Sequence, residues 1–188
     1  MLGSLFLSPK SSQDALDLAR LGDTLASLDI TAGAISGQPG LLTYRAGEGF
    51  VRHVVFAGCS PHLRFEPARA GDLHFCHVAL HGPFEQARIL TGENTVKPRC
   101  PLCRRRHNDW AEGLRQQALS CTGCGEVLPP TELDWRQHAA VGRCFVEMRN
   151  VFPGEASPSD QLMAALRDTA GFDWRYAWAA LHRGGTHA

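Results

Sequence analysis

Two cysteine pairs, Cys100-Pro101-Leu102-Cys103 and Cys121-Thr122-Gly123-Cys124, with seventeen residues between them, constrain this chain more than any other feature. Two residues between cysteines allow a tight turn to aim both sulfurs at one point while backbone amides face them. Two such turns supply the four thiolates that a divalent ion such as zinc accepts tetrahedrally. The spacing therefore assigns Cys100, Cys103, Cys121 and Cys124 to one metal site with one ion per chain. It leaves the biological task of that site open.

The segment from Lys97 to about Pro130 resembles a four-cysteine zinc ribbon, with Cys100–Cys103 as the first knuckle and Cys121–Cys124 followed by Gly125 as the second. In ribbons and the related rubredoxins, glycine after the second cysteine of a knuckle leaves space for the backbone to curl around sulfur. Gly125 fits that pattern, whereas Arg104 stands where rubredoxins favour glycine, which makes iron the less favoured metal. The resemblance implies a structural zinc, because four sulfurs leave no coordination position for water or substrate. It implies no particular activity, since ribbons serve transcription factors, ribosomal proteins, enzymes and scaffolds alike.

The rest of the composition narrows the class. Apolar residues at 44% and charged residues at 20% of 188 predict a folded chain with one main core and a small appendage. Nineteen basic residues cancel nineteen acidic ones, and a zinc-bound tetrathiolate leaves the loaded protein about two units negative. Nonspecific nucleic-acid binding gains nothing from that balance and needs a local patch. The N-terminal apolar cluster lacks the basic region and cleavage site of a secretory signal, and no apolar run reaches membrane-spanning length. Seven cysteines, an odd number with four committed to metal, place the protein in the reducing cytoplasm.

Pattern along the chain predicts an α+β fold with a mixed, largely antiparallel sheet, in which residues 1–96 and 131–188 form the main domain and 97–130 an inserted ribbon. Ser11 with Asp14 reads as a capping box for a helix near 12–21. The Gly-, Ala- and Ser-rich stretch 30–40 reads as a surface loop. Strands are expected at Leu41–Arg45, Phe50–Phe56, His62–Glu66, Leu73–Leu80 and Phe84–Leu90. Alternation then places Cys144, Val146 and Met148 on the inner face of another strand. Ser157 and Pro158 are expected to open a helix with Leu162, Met163 and Leu166 as its stripe and Gly171 as its stop. Trp174, Tyr176 and Trp178 mark one face of a last strand and are expected to face the core. The Asp-Trp pairs at 109, 134 and 173 read as separate packing anchors.

Arg99, Arg104, Arg105, Arg106 and His107 surround the first knuckle and form the candidate contact for phosphates or an acidic protein, although they can equally balance the thiolate charge. No tract of interleaved basic and aromatic residues extends this patch. Cys59, near His53 and His62, is a candidate nucleophile or a packed residue. His74, Cys76, His77 and His81 suggest a second metal site, but strand alternation separates His77 from His74 and Cys76. His107-Asn108 lacks the second histidine that an HNH nuclease needs. The sequence thus favours a zinc-containing, non-catalytic accessory protein that binds a protein partner. A nucleic-acid-binding ribbon using Arg104–Arg106 is the alternative, and a thiol enzyme using Cys59 the third reading.

Overall fold

The structure, a computed structural model, describes residues 3–58 and 63–180. Its strands, in chain order, are β1 (Gly3–Pro9), β2 (Thr31–Gln38), β3 (Leu41–Ala46), β4 (Val54–Phe56), β5 (His77–His81), β6 (Arg88–Thr91), β7 (Leu119–Ser120), β8 (Val127–Leu128), β9 (Ala139–Gly142), β10 (Phe145–Val151), β11 (Ala156–Pro158) and β12 (Trp174–Ala180). The helices are α1 (Leu18–Ser27), α2 (Phe50–His53), α3 (Trp110–Gln116) and α4 (Asp160–Ala170). A six-stranded sheet in the order β12-β1-β10-β5-β3-β2 forms the body. Every ladder among the described residues is antiparallel, so the fold is α+β on a large antiparallel sheet. No described helix is long and apolar enough to cross a membrane.

Alternation along the central strands loads both faces. Leu5, Leu7, Val78, Leu80, Val146 and Met148 meet Leu21 and Leu25 of α1 and Leu162 and Leu166 of α4 in the main core. Cys144, Val146 and Met148 face inward as expected, and Trp174, Tyr176 and Trp178 pack on this same core. The opposite set is covered too: Phe6, Phe145, Ala177 and Ala179 pack with Ala140 of β9 in a second cluster. Ala139 and Val141 of β9 belong instead to a third cluster with Leu119, Leu133 and Trp135, against which Trp110 and Leu128 pack. Strand β9 is therefore buried on both sides, and it couples the cysteine-bearing segment to the sheet.

Several boundaries differ from the sequence expectation. The first helix runs over Leu18–Ser27 because Asp17, rather than Ser11, caps it, its Oδ1 accepting from Ala19 N at 2.8 Å. Ser11 Oγ is used in a local turn with Gln13 N. The stretch expected to be a loop forms β2, whose small residues reflect its place at the open edge of the sheet, where little packing is demanded. Phe50–His53 makes a helical turn and only Val54–Phe56 is strand. Residues 63–66 form no strand, and His62 lies outside the described residues. Asp72 accepts from the amides of Ala68 and His74 and holds this region in a turn, so β5 begins only at His77. Beyond Pro83 the next strand is Arg88–Thr91, shorter and later than expected. The last helix is capped by Ser159, which accepts from Leu162 N, while Ala156–Pro158 pairs with β4. Gly171, at φ +80°, ends it as expected.

Candidate metal centre and its basic flank

The two cysteine turns are built alike. In the first, Cys100 N donates to Arg105 O at 2.8 Å and Arg104 N to Cys100 O at 3.0 Å. In the second, Cys121 N donates to Glu126 O at 2.7 Å and Gly125 N to Cys121 O at 2.8 Å. Each turn closes with a left-handed residue one position past its second cysteine, Arg104 at φ +66° and Gly125 at φ +77°. The conformation that made glycine useful at 125 is thus forced on arginine at 104, at a cost of about 1 kcal/mol. Arg104 Nη1 bonds Asp134 Oδ2 at 2.7 Å and helps hold it there. Gly123 is small for a separate reason: a Cβ there would lie 3.0 Å from Cys103 Sγ.

All four sulfurs lie within 4.8 Å of one another. Cys100 and Cys124 are 3.8 Å apart at sulfur, and Cys103 and Cys121 are 3.5 Å apart. A tetrahedron with metal–sulfur bonds of about 2.3 Å has edges of about 3.8 Å, so the donor set is the right size for one ion. The cysteines are free thiols, far longer in separation than the ~2.05 Å of a disulfide. Amide donors from Cys124 and Gly123 bring the Cys121 thiol down to about 6, toward the thiolate that a metal requires. The Glu126 amide acts the same way on Cys124, but burial and the neighbouring sulfurs outweigh it and push that thiol up to about 12. Cys100 and Cys121 are buried and Cys103 and Cys124 exposed. The cluster can hold a metal ion.

The segment before the first knuckle lies between two others. Arg99 bridges Arg106 on one side and Asp134 on the other, both antiparallel, with Arg99 N to Asp134 O and Asp134 N to Arg99 O each 2.9 Å. Asp134 also accepts from Arg136 N at 2.9 Å. The five flanking residues therefore have different fates. Arg104 is engaged with Asp134, Arg99 is half-buried with its Nε unpartnered, and His107 is buried at 6% exposure with its Nε2 unpartnered. Arg105 and Arg106 are exposed. Trp110 meets Trp135 edge to face at 5.4 Å, so two of the three Asp-Trp anchors pack on each other.

The histidine group near β5 does not converge. His74 is exposed and bonds Asp72 at 2.8 Å. Cys76 lies in the main core, where burial pushes its thiol up to about 12, and Cys144 Sγ accepts from Leu16 N at 3.3 Å. His77 is buried, donates from Nδ1 to Phe75 O at 2.7 Å, and burial lowers its pKa. Among the described residues only the four cysteines group as metal donors. Cys59 lies outside the described residues.

Sequence alternation missed one buried polar group, Glu147. Its carboxylate accepts from Ser4 Oγ at 2.6 Å, His81 Nε2 at 2.7 Å and Arg149 Nε at 2.7 Å, with the residue 1% exposed. Burial opposes its charge, but the hydrogen bond from His81 and the Arg149 charge win and hold the carboxyl at about 2. The signal for this was Phe145 in the same alternating set, a large aromatic that already required a covered second face. Among known proteins, the chain matches no family model, no curated protein and no solved structure.

Proposed function

We propose that this chain is a zinc-containing, non-catalytic binding protein whose ribbon, residues 97–130, is inserted in a main domain formed by 1–96 and 131–188. The observation that carries the proposal is the set of four sulfurs within 4.8 Å, sized for one tetrahedral ion. Cys100, Cys103, Cys121 and Cys124 hold the ion and fill its coordination, so zinc supplies folding energy and leaves no place for substrate. Zinc is favoured over iron because a non-glycine residue, Arg104, closes the first knuckle. Free thiols suit a reducing compartment, the cytoplasm. The partner is a protein, since nineteen basic and nineteen acidic residues give no general attraction for a polyanion.

Metal analysis tests the centre. Protein purified without chelator should carry one zinc per chain, and Cys100→Ser should lower both the zinc content and the melting temperature. Far less than one metal per chain together with an unchanged melt would refute it.

Nucleic-acid binding through Arg104–Arg106 is the second reading, supported by the exposure of Arg105 and Arg106. It requires salt-sensitive retention of RNA or DNA that disappears when those arginines are changed to glutamate.

A further inference from the structure

A groove of about 530 Å³ is lined by Thr95, Val96, Lys97, Arg106, Trp110 and Arg136. Three of its six lining residues are cations, brought together by the antiparallel bridges of Arg99 to Arg106 and Asp134. Lys97 Nζ bonds Asn108 Oδ1 at 3.0 Å, and Arg136 follows Asp134 by two residues with its backbone at φ +56°. Residues 97–108 contain five basic side chains and no acidic one, and Arg104 alone of these is paired with a carboxylate. Among the described residues no carboxylate pairs with Lys97, Arg106 or Arg136.

We propose that this groove binds a short acidic segment of a protein partner, with carboxylates on Arg106, Arg136 and Lys97 and an apolar side chain against Trp110 and Val96. The proposal rests on the protein-binding reading above and names its chemistry. Guanidinium groups match carboxylates in a two-pronged geometry, and gathering three like charges without counter-charges is unfavourable until an anion arrives. Trp110 is half-buried and braced on Trp135, so it offers a fixed apolar wall. The surroundings favour a peptide over a nucleic-acid strand. Asp109 beside Trp110 is exposed while Glu112 is paired with Arg115, and nineteen basic residues are cancelled by nineteen acidic ones, so no wider positive field draws a phosphate backbone along the groove.

The test titrates zinc-loaded full-length protein with three probes: an eight-residue peptide alternating glutamate and leucine, the same peptide with glutamine for glutamate, and an oligothymidylate of eight nucleotides. Tryptophan fluorescence and calorimetry follow binding, and zinc content is measured on every variant. The acidic peptide is expected to bind with salt sensitivity, the glutamine peptide to bind at least about tenfold more weakly, and the Arg106→Glu, Arg136→Glu double variant to lose about tenfold or more. Both arginines are exposed, so the variant should fold. Equal binding of the glutamine peptide, insensitivity to the double variant, or binding of the oligothymidylate in place of the peptide would overturn the proposal. Zinc-loaded protein that ignores the acidic peptide removes the groove and leaves the metal centre standing. Protein that as purified carries far less than one zinc per chain, whose melt Cys100→Ser leaves unchanged, and that still binds the peptide through both arginines supports the groove and removes the metal centre.

Discussion

Arg104 and Gly125 occupy equivalent places in two similar turns, yet only one is suited to a left-handed backbone. Arg104→Gly relieves about 1 kcal/mol of strain and gives up an ion pair in which the arginine side chain is 57% exposed, worth less than about 1 kcal/mol. Arg104→Gly is therefore expected to melt at or above the parent temperature and Arg104→Ala below it; both variants melting below the parent in thermal denaturation would show that the Asp134 pairing dominates. Glu147 contributes to acid behaviour. Its folded value of about 2 lies below the ordinary 4.5, so its stabilisation is complete above the ordinary value and is lost as pH falls from there toward 2. Glu147→Gln should cost about 2 kcal/mol or more at neutral pH, less than for a wholly buried pair because His81 and Arg149 keep some contact with water. Acid titration of unfolding should then show a flatter limb for the variant between those two pH values, and an unchanged limb would assign the acid response to other carboxylates.

Helix α4 shows how one side chain fixes an element. Ser159 Oγ accepts from Leu162 N at 3.2 Å and lies 3.0 Å from His53 Nδ1, so it caps the helix and ties it to α2. Ser159→Ala should cost about 1 kcal/mol in denaturant melts, while Ser157→Ala, whose hydroxyl meets only Val55 O at 3.4 Å, should cost distinctly less. Equal losses would return the cap to Ser157. Strand β12 shows the same economy at a sheet edge. Its outer side is occupied by Asn94, whose side chain spans Trp178 O and Ala180 N, and by Gln137 O, which accepts from Trp178 N. The opposite edge, β2, has no strand beyond it among the described residues.

At the scale of the molecule there are three apolar clusters: the large sheet lies between the first and the second, and β9 joins the second to the third. The third lies next to the cysteines, so it depends most on a bound ion, whereas the main core has two helices over the central strands. Chelation should accordingly raise hydrogen exchange at Leu119–Leu128 while Leu5–Leu7 and Val146–Met148 stay protected. Uniform acceleration would show instead that the ribbon and sheet unfold as one unit. Added zinc should restore the slow exchange if loss of the ion is the cause.

The cysteine spacing, the inward set Cys144, Val146 and Met148, the Leu162–Leu166 stripe and the Gly171 stop were legible because each is a local rule: a turn, a period or a backbone preference. The boundaries of α1 and α4 were not, since Ser11 against Asp17 and Ser157 against Ser159 are similar caps that only surrounding contacts distinguish. Edge strand β2 was read as loop because position in a sheet, not composition, made it a strand. The sequence by itself picked out the four cysteines whose sulfurs gather within 4.8 Å, for a turn with two residues between cysteines aims each pair of sulfurs the same way. Only tertiary structure decided that Glu147 is buried and that Lys97, Arg106, Trp110 and Arg136 share a groove, because those neighbours meet through pairing across long stretches of sequence, which no local pattern records.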